Sequence, residues 1–285
     1  MSTHVFLDGR LLESTQATVS ITNPAFLHGV GLFETLRAYH GRPFMLDAHI
    51  ARATRSAETL NMPVSEAIAQ VPSAVAQVLA ANNLTDARIR FTVTPPSPQN
   101  AEEGPTLLVA ADVTAGHPQE LYDKGMTTYV CDTYRQSRYD PSAGHKTTSY
   151  LPRLLALRAA QERGCGEALW FTPEGWLAEG SISNVFFVKD GMLRTPPLDT
   201  PALPGVTRAL VLELARADTL PIDESPCTLK DLLEADEVFL TNAIMELMPV
   251  TRVERHPIAD EKPGPVTHRL HSAYRDRVRV ACASG

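Results

Sequence analysis

Lys146 is the residue of this sequence whose surroundings best suit covalent chemistry. It stands in segment 142–150, between a loop that contains proline and glycine and an apolar run at 151–160. A lysine acts as a covalent catalyst when part of its population is neutral and the side chain is held in place. We interpret Lys146 as such a catalyst, carrying a cofactor as a Schiff base. On this residue alone a solvated surface role is the stronger interpretation, because most lysines are exposed.

Two later segments offer donors for a phosphate. Segment 203–208 precedes an amphipathic helical pattern at 209–217, which places backbone N–H groups and the Thr207 hydroxyl at a helix N-terminus. Such a terminus attracts anions, although simple helix capping explains the segment equally well. The predicted strand 236–243 ends in small polar residues, Asn242 and Ala243, that offer a second set of donors.

The N-terminal elements must frame these residues. Residues 4–22 predict a β-hairpin that turns at Asp8-Gly9 and includes a strand at 18–21. A loop with two glycines at 26–31 leads into an alternating strand that ends at the turn 40–43. It is not a dinucleotide-binding motif, because Glu34 occupies the third glycine position.

Helices and further strands follow in the first half. Asp47 is the predicted N-cap of a helix with Ile50, Thr54, Ala57 and Leu60 on one face. Arg52 lies on another face, where a solvated charge is the simplest interpretation. A helical pattern at 67–81 contains Pro72, which we expect to kink or divide it. Strands are predicted at 87–93 and 106–110 around a proline-rich loop, with a domain boundary in 114–119.

The second half predicts a strand at 126–131, a polar loop at 134–144 that delivers Lys146, and a helix that ends before Gly164. A hairpin at 168–179 and a strand at 184–188 follow. The last helix, 266–281, carries His268 and His271. These histidines are three residues apart, but no carboxylate or third histidine is near them in sequence. We therefore predict a solvated helix face there and no metal site.

The bulk composition excludes several classes of protein. The chain has 285 residues, for which two domains are the better expectation. Its net charge of -7 argues against a nucleic-acid or anionic-membrane partner, while a small anionic substrate stays compatible with a local arginine cluster. Four dispersed cysteines predict neither a disulfide framework nor a zinc site and fit a reducing cytoplasm. We see no signal peptide and no apolar run of roughly 18 residues.

Taken together, the motifs resemble the fold-type IV pyridoxal-phosphate enzymes, which include D-amino-acid and branched-chain aminotransferases and aminodeoxychorismate lyase. The resemblance covers essentially the whole chain. Five features occur in the family's order and spacing: LFETLR at 32–37, Lys146, EGSISN at 179–184, LPGVTR at 203–208 and TNAIMELMPV at 241–250.

The resemblance implies a role for each matching residue. Lys146 holds the cofactor, pyridoxal 5′-phosphate, and then moves the substrate proton, while Glu179 pairs with the pyridine nitrogen. Arg52, Val206 and Thr207 bind the phosphate. The remaining cofactor-binding residues implied by the match are Tyr150, Ser183, Asn184, Leu203, Asn242 and Ala243. Three of these residues have an alternative interpretation. Tyr150 fits a packed aromatic and Ser183 a turn residue, and Glu179 taken alone fits a surface acid at the end of a hairpin.

The resemblance also implies a two-domain α+β fold of the D-amino-acid aminotransferase type. We expect a small α/β domain at 1–116 and a larger, mixed α/β pseudo-barrel domain that binds the cofactor at 117–285. A cytoplasmic homodimer, with the cofactor near its interface and the domain cleft, is the expected assembly.

Within the family, the sequence most resembles aminodeoxychorismate lyase, which converts 4-amino-4-deoxychorismate to 4-aminobenzoate and pyruvate. Branched-chain aminotransferases usually carry Gly-Thr-Ala where this chain has 242–244. D-amino-acid aminotransferases usually carry an arginine and histidine trap where it has the proline-rich segment 95–100. An aminotransferase on either substrate class is the alternative, because one apparatus serves both reactions. A non-catalytic homologue is disfavoured, because Lys146 and Glu179 are both present.

The lyase substrate is a dianion, so cations are expected to bind it. Candidates by position, for each of which a surface or packing role is an equal alternative, are His28, Arg88, Arg90, Arg135 and Arg138.

Overall fold

The computed structural model describes residues 3–99, 102 and 104–283. Asn100, the last residue of the proline-rich segment 95–100, lies outside the described residues. Contacts divide the chain into two units. Unit 1 comprises the described residues of 1–115, 145–150 and 278–285, and unit 2 comprises 116–144 and 151–277.

The two units do not follow a single cut in the sequence, which differs from the predicted domains 1–116 and 117–285. Segment 145–150 belongs to unit 1 because its backbone pairs with that unit: the Phe33 N–H donates to the Lys146 carbonyl over 2.9 Å. The C-terminal residues belong there too, where the Cys282 thiol donates to the Arg42 carbonyl over 3.7 Å. Lys146 therefore lies in unit 1, although the chain on either side of its segment lies in unit 2.

Unit 1 is an antiparallel sheet with three helices packed on one face. The strand order is β2-β1-β6-β5-β3-β4. Its elements in chain order are β1 (His4–Leu7), β2 (Arg10–Glu13), α1 (Pro24–His28), β3 (Leu32–Tyr39), β4 (Arg42–Pro43), α2 (Leu46–Thr59), α3 (Ser65–Ala69), α4 (Val71–Ala81), β5 (Ala87–Thr94) and β6 (Thr106–Val113).

The period-two pattern of the central strands builds the core of unit 1. In the pairing of β3 with β5, Leu36 lies opposite Ile89, and both are fully buried. Val75 and Val78 of α4 join the same cluster. Each such side chain stabilises the fold by about 1.5–3 kcal/mol relative to its exposed state. The alternate residues of β5, which include Arg90, lie on the opposite face of the sheet.

Three local predictions for unit 1 were wrong or needed refinement, and the prediction for Pro72 is confirmed. Residues 18–21 form no strand, because the turn at Asp8-Gly9 returns directly into β2. Residues 26–28 are helical, since the Asn23 side chain caps α1 by accepting the Ala25 N–H. Asp47 lies inside the first turn of α2 and does not cap it. Pro72 occupies the first turn of α4, where its missing N–H removes no helical hydrogen bond, so it separates α4 from α3 as predicted.

Unit 2 contains the second sheet and the helices around it. Its elements are α5 (Gln119–Lys124), β7 (Met126–Val130), α6 (Leu151–Gln161), β8 (Glu167–Phe171), β9 (Leu177–Gly180), β10 (Asn184–Lys189), β11 (Met192–Arg194), α7 (Val206–Ala217), β12 (Ile222–Asp223), α8 (Leu229–Leu233), β13 (Glu237–Asn242), β14 (Glu246–Val253), β15 (His256–Pro257) and α9 (Pro265–Cys282), whose last turn counts with unit 1.

The sheet of unit 2 is mixed and curled. Its strand order is β12-β11-β10-β13-β14-β7-β8-β9, with β15 beside β14. Strand β7 is parallel to both neighbours, whereas β13 is antiparallel to both of its own. Strand β9 ends this order, yet the turn at 180–183 connects it directly to β10, and the Gly180 N–H donates to the Ser183 carbonyl over 2.7 Å. The sheet therefore bends back on itself, and Glu179 lies where it does so.

No helix within 3–99, 102 and 104–283 combines the length and apolar character that crossing a bilayer requires.

Candidate active site

In unit 1, backbone hydrogen bonds fix the segment that carries Lys146. The Lys146 carbonyl accepts the N–H of Phe33, at the start of β3. Thr148 donates twice to the glycine loop before β3: its N–H to the Gly31 carbonyl over 2.9 Å and its hydroxyl to the Gly29 carbonyl over 2.6 Å. A Cβ added at Gly31 would lie 3.1 Å from the Thr148 hydroxyl oxygen, so the close approach favours glycine. Hydrogen bonds to β3 and to the glycine loop therefore hold the backbone at Lys146 in place.

The Lys146 side chain is half-buried against two aromatic rings. Its Nζ lies 4.5 Å from the centroid of Phe33 and 5.5 Å from that of Tyr150. These rings meet edge to face at 5.1 Å, and the guanidinium carbon of Arg90 lies 3.6 Å from the Phe33 centroid. Ring faces attract cations, so they hold the amine in a defined place. Tyr150 therefore contacts both Phe33 and Lys146, which fits either of its two interpretations.

Arg52 lies in a buried network of charges in unit 1. Its Nε and Nη2 donate to the two carboxylate oxygens of Glu34 over 2.7 and 2.5 Å, and His49 Nδ1 lies 2.8 Å from Glu34 Oε2. Glu34 is 1% exposed, because it occupies a core-facing position of β3, opposite Phe91. The solvated charge suggested by the helix pattern is therefore wrong: Arg52 is buried, and Glu34 binds it with two hydrogen bonds.

The electrostatics of this network set the protonation of two residues. Burial alone would raise the pKa of Glu34, but the charge of Arg52 and hydrogen bonds from His49 and Arg52 outweigh it and lower that pKa to about 2. Burial lowers the pKa of His49 below its usual 6.5, against the opposing hydrogen bond to Glu34. Glu34 is thus ionised at neutral pH, with Arg52 as its counter-charge.

We expect an acid-dependent loss of stability from Glu34. Its folded pKa of about 2 lies below its usual 4.5, so the unfolded chain binds more protons between these values and the free energy of unfolding falls as pH decreases through that range. Urea unfolding as a function of pH measures this for the wild type and Glu34→Gln. Their difference should shrink from pH 4.5 toward 2, and a constant difference would contradict the assignment.

In unit 2, Glu179 is the next-to-last residue of strand β9, and its carboxylate is buried and accepts hydrogen bonds from three donors. It is 2% exposed. Oε1 accepts Arg153 Nη2 over 2.5 Å and Gln136 Nε2 over 3.4 Å, while Oε2 accepts the Leu203 N–H over 2.9 Å. The surface-acid interpretation is therefore wrong, because this carboxylate lies inside unit 2 with its charge matched by Arg153.

A second buried acid organises the turn after Glu179. Glu167 accepts the Ser183 hydroxyl over 2.8 Å and the N–H groups of Ser181 and Ile182 over 3.1 and 3.2 Å. Burial raises the pKa of Glu167, while these hydrogen bonds oppose the rise. The Ser183 hydroxyl, predicted to bind the cofactor, is thus bound to Glu167, and its predicted role stays untested.

Helix α7 begins with the donor arrangement predicted for a phosphate. Val206 and Thr207 are its first two residues and are buried, no acidic residue lies in the first turn, and no side chain caps the N-terminus. Gly205 precedes them, and Asn184 Nδ2 donates to the Leu203 carbonyl over 2.9 Å. The N–H groups that no side chain caps and the helix dipole therefore favour an anion at this end of α7.

Replacing Gly205 with alanine tests this site. A Cβ there would lie 1.9 Å from Asn184 Oδ1, whereas the Gly205 φ of -63° suits any residue. We expect Gly205→Ala to weaken binding of pyridoxal phosphate to the apoprotein by about tenfold or more, the scale of one lost hydrogen bond to a charged group. Removing the opposing atom with Asn184→Ala is the control: the double variant should bind no more weakly than Asn184→Ala alone. Unchanged affinity in Gly205→Ala would contradict the assignment.

The end of β13 supplies the remaining predicted donors. The Asn242 side chain donates to the Ile182 carbonyl over 3.1 Å and accepts the N–H groups of Ile244 and Met245 over 2.8 Å each. The Asn242 side chain therefore shapes the turn. The predicted phosphate contact of this segment is then one for the backbone of Asn242 and Ala243. The Thr241 hydroxyl is buried and has no hydrogen-bond partner within the described residues.

The predicted substrate cations have different surroundings. His28 ends α1 and is exposed, and Arg88 is exposed and pairs with Asp112 over 3.3 Å. In unit 2, Arg135 donates to the Cys131 carbonyl, and Arg138 is exposed beside Tyr139, 5.2 Å from its ring. Arg90 is the candidate that contacts Phe33, the ring that also holds Lys146.

The two histidines of α9 differ in burial. His268 is exposed, whereas His271 is buried with its Nε2 2.8 Å from Glu246 Oε2, where Arg275 also binds. Groups of three or more side chains able to hold a metal ion do not occur in the described part of the chain. The predicted solvated face is wrong for His271, because β14 brings a carboxylate to it that the local sequence does not show.

Several residues of the two arrangements were not predicted from sequence. A signal existed for Glu34, an acid within the apolar alternation of β3, and for His49, one helical turn before Arg52. No local signal marked Gln136, Arg153 or Glu167, whose partners are distant in sequence.

Comparison with known proteins assigns the chain to a family. A family model described as amino-transferase class IV matches residues 31–253. The D-alanine aminotransferase of Bacillus licheniformis is 30% identical over 96% of both chains. The aminodeoxychorismate lyase of Bacillus subtilis strain 168 is 30% identical over 96% of this chain and 94% of that one. The branched-chain-amino-acid aminotransferase of Salmonella typhimurium is also 30% identical, over 95% and 91%.

Solved structures show the same fold. A branched-chain amino acid aminotransferase from T.th., solved with pyridoxamine 5′-phosphate, superimposes with a TM-score of 0.91 at 27% identity, covering 99% of this chain and 95% of that one. The Escherichia coli branched-chain amino acid aminotransferase gives 0.90 at 28% identity, covering 97% and 94%. The predicted fold class is confirmed.

Fold and site together define an enzyme that depends on pyridoxal phosphate. The chain belongs to the class IV aminotransferase family. Its residues fit that cofactor: unit 1 offers a lysine amine on two rings, and unit 2 offers a buried carboxylate and a helix N-terminus free of acids. Two buried polar atoms of unit 2 without a described partner, Gln136 Oε1 and Thr241 Oγ1, are further groups that a polar ligand can satisfy.

Proposed function

We propose that this enzyme is an aminodeoxychorismate lyase, which releases 4-aminobenzoate and pyruvate from 4-amino-4-deoxychorismate, a reaction of folate biosynthesis. The observation that carries the underlying amine chemistry is the Lys146 amine, held over Phe33 by a segment that is hydrogen-bonded to β3. The choice of reaction rests on the sequence at 179–184 and 241–250 and on a relative of that name at 30% identity.

The cofactor supplies, when bound, an aldehyde that condenses with amines and a protonated ring that accepts electrons. Lys146 removes the proton from the substrate carbon that bears nitrogen, because its amine is the base held in place by Phe33 and Tyr150. Loss of the enolpyruvyl group as pyruvate then leaves an aromatic product, and aromatisation supplies driving force.

Glu179 faces the ring nitrogen in this proposal. As a carboxylate it favours a protonated nitrogen, which strengthens the ring as an electron acceptor. Its burial, at 2% exposure, keeps water from competing for that proton. Leu203, whose N–H donates to Glu179, packs on the face of the cofactor ring in this proposal. Tyr150 is the proposed partner of the cofactor's phenolic oxygen.

In unit 2, helix α7 is the proposed binding site for the phosphate. The first N–H groups of α7, at Val206 and Thr207, donate together with the Thr207 hydroxyl, and the backbone at Asn242 and Ala243 adds to them. For Arg52, in unit 1, the phosphate role is implied by the family resemblance, and its guanidinium is oriented by two hydrogen bonds to Glu34. Ser183 and Asn184 hold the surrounding turns through Glu167 and the Leu203 carbonyl.

An aminotransferase of D-amino or branched-chain amino acids is the second candidate. The relatives with those names are as similar to this chain as the lyase is, at 30% identity. In this reaction Lys146 would move the proton away from the substrate carbon, the amino nitrogen would stay with the cofactor, and water would release the substrate as a keto acid.

Product analysis separates the two. The purified protein is incubated with 4-amino-4-deoxychorismate, and separately with an amino donor with and without a keto acid. Release of 4-aminobenzoate and pyruvate without an acceptor supports the lyase. Turnover only when a keto acid is present, with no 4-aminobenzoate formed, refutes the lyase and supports the aminotransferase.

Arg90 is proposed to bind a substrate carboxylate, because its guanidinium lies on the ring that also holds Lys146. We expect Arg90→Gln to raise KM by about tenfold or more, as expected for loss of a charge-assisted hydrogen bond. Arg88→Gln, two residues along the same strand and paired with Asp112, is the control and should change KM by less than about threefold. Steady-state kinetics measure both, and equal effects would argue against this role.

We further propose that the enzyme is a cytoplasmic homodimer. The proposal rests on the family resemblance and on the four cysteines, all free and buried, which suit a reducing compartment. Sedimentation equilibrium tests the assembly, and a monomeric mass at working concentration would refute it.

A further inference from the structure

Arg153 contacts Glu179 in a way that neither sequence pattern nor family motif anticipated. Nη2 donates to Glu179 Oε1 over 2.5 Å, and Nη1 donates to the carbonyls of Ser181 and Gly180 over 3.1 and 3.4 Å. The guanidinium carbon lies 5.2 Å from the ring centroid of Trp170, whose indole N–H binds the Ser181 hydroxyl over 2.8 Å. One guanidinium thus joins the carboxylate to the backbone of the turn that follows it.

The two carboxylate oxygens of Glu179 accept different numbers of hydrogen bonds. An ionised carboxylate has about four acceptor sites. Arg153 and Gln136 bind Oε1, whereas the Leu203 N–H is the described donor to Oε2. Oε2 therefore keeps an acceptor site that Oε1 lacks, and it is the oxygen able to receive a further N–H.

The positive charge of Arg153 lies beside the Glu179 carboxylate. Arg153 stays protonated at every accessible pH, so the buried carboxylate always has a counter-charge. The side chains of Arg153 and Glu179 are 18% and 2% exposed, which limits screening by water. Loss of Arg153 would leave the Glu179 carboxylate without its counter-charge and free to rotate. Both changes would weaken the binding of a cationic N–H group by that carboxylate.

We infer that Arg153 is a positioning residue: it fixes Glu179 through Oε1 so that Oε2 faces the ring nitrogen of the cofactor. This inference rests on the proposed role of Glu179. It adds a specific donor, on α6, that determines which carboxylate oxygen is used and how firmly it is held.

The experiment compares the purified proteins Arg153→Met, Arg153→Lys, Glu179→Gln and Arg153→Met/Glu179→Gln with wild type. The readouts are the dissociation constant of pyridoxal phosphate and the pH dependence of the absorbance of the bound cofactor. Arg158→Met is the matched control, because Arg158 lies on the same helix and makes an exposed pair with Glu162.

We expect Arg153→Met to weaken cofactor binding by about tenfold or more and to shift the absorbance titration, as loss of a charge-assisted hydrogen bond to a buried carboxylate implies. Arg153→Lys keeps the charge but not the backbone contacts, so it should lie between Arg153→Met and wild type. Because Arg153 acts through Glu179, the double variant should resemble Glu179→Gln rather than show the sum of both effects.

Three results would overturn the inference: wild-type affinity and titration in both Arg153 variants, lower thermal stability of Arg153→Met with an unchanged titration, or additive effects in the double variant. If Arg153→Met does not fold, the lysine variant alone decides through its titration. A Glu179→Gln variant that matches wild type in both readouts instead refutes the proposed role of Glu179, which separates the two failures.

Discussion

Replacing Lys146 with alanine should remove the absorbance band of the covalently bound cofactor and lower kcat/KM by about 10⁴-fold, the upper range for loss of a positioned acid–base group. The reason is geometric as well as chemical. The amine lies between the rings of Phe33 and Tyr150, and no other lysine occurs in the described part of unit 1. Absorbance spectra and steady-state kinetics with the substrate identified by product analysis measure the two effects.

Lys124→Ala is the control for this variant. Lys124 is exposed and pairs with Glu120 on α5, so its removal should leave both the spectrum and the rate within about twofold of wild type. Wild-type turnover in Lys146→Ala would contradict the role of Lys146. A loss of equal size in both lysine variants would show that the effect is not specific to this amine.

The largest expected effect on stability comes from Glu34→Gln. This change keeps the shape of the side chain but leaves Arg52 buried without its counter-charge, at a cost of about 3–5 kcal/mol in the free energy of unfolding. The cost is this large because the Glu34 and Arg52 side chains are 1% and 6% exposed, so water does not replace the lost partner. Urea unfolding at neutral pH measures the difference.

An exposed pair in the same sheet is the matched control. Arg88 and Asp112 lie opposite each other on β5 and β6, with side chains 55% and 35% exposed. Asp112→Asn should therefore change the free energy of unfolding by less than about 1 kcal/mol. Similar losses in Glu34→Gln and Asp112→Asn would mean that burial does not determine the strength of the Glu34 network.

Local sequence was sufficient for the elements that carry their own signals. The alternation of β3 and the helix that begins within segment 203–208 carry such signals, because periodicity and turn chemistry act over a few residues. The strand predicted at 18–21 failed for a related reason: alternation is ambiguous over four residues, and the tight turn at Asp8-Gly9 had already committed the chain to β2.

The partners of the buried charges were beyond local reasoning. Glu34 stands on an apolar strand face, and only the packing of α2 brings Arg52 to it. Arg153 binds Glu179 because unit 2 brings α6 to the end of β9, although the two residues are 26 positions apart in sequence. His271 was predicted to be solvated for the same reason, since Glu246 is 25 positions away. Long-range topology decides these pairs.

The roles of Lys146 and Glu179 came from the ordered set of motifs rather than from either residue. Their structural surroundings agree with those roles, because the amine is held on aromatic rings and the carboxylate is buried with three donors. The choice between lyase and aminotransferase does not follow from either arrangement, since both reactions begin with removal of a proton from the same carbon.

The most direct measurement is the covalent attachment of the cofactor. The holoenzyme is treated with borohydride, digested, and its peptides are sequenced by mass spectrometry. We expect one pyridoxyl group per chain, on the peptide that contains Lys146. A label on any other lysine, or a cofactor that leaves the reduced protein on denaturation, would contradict it.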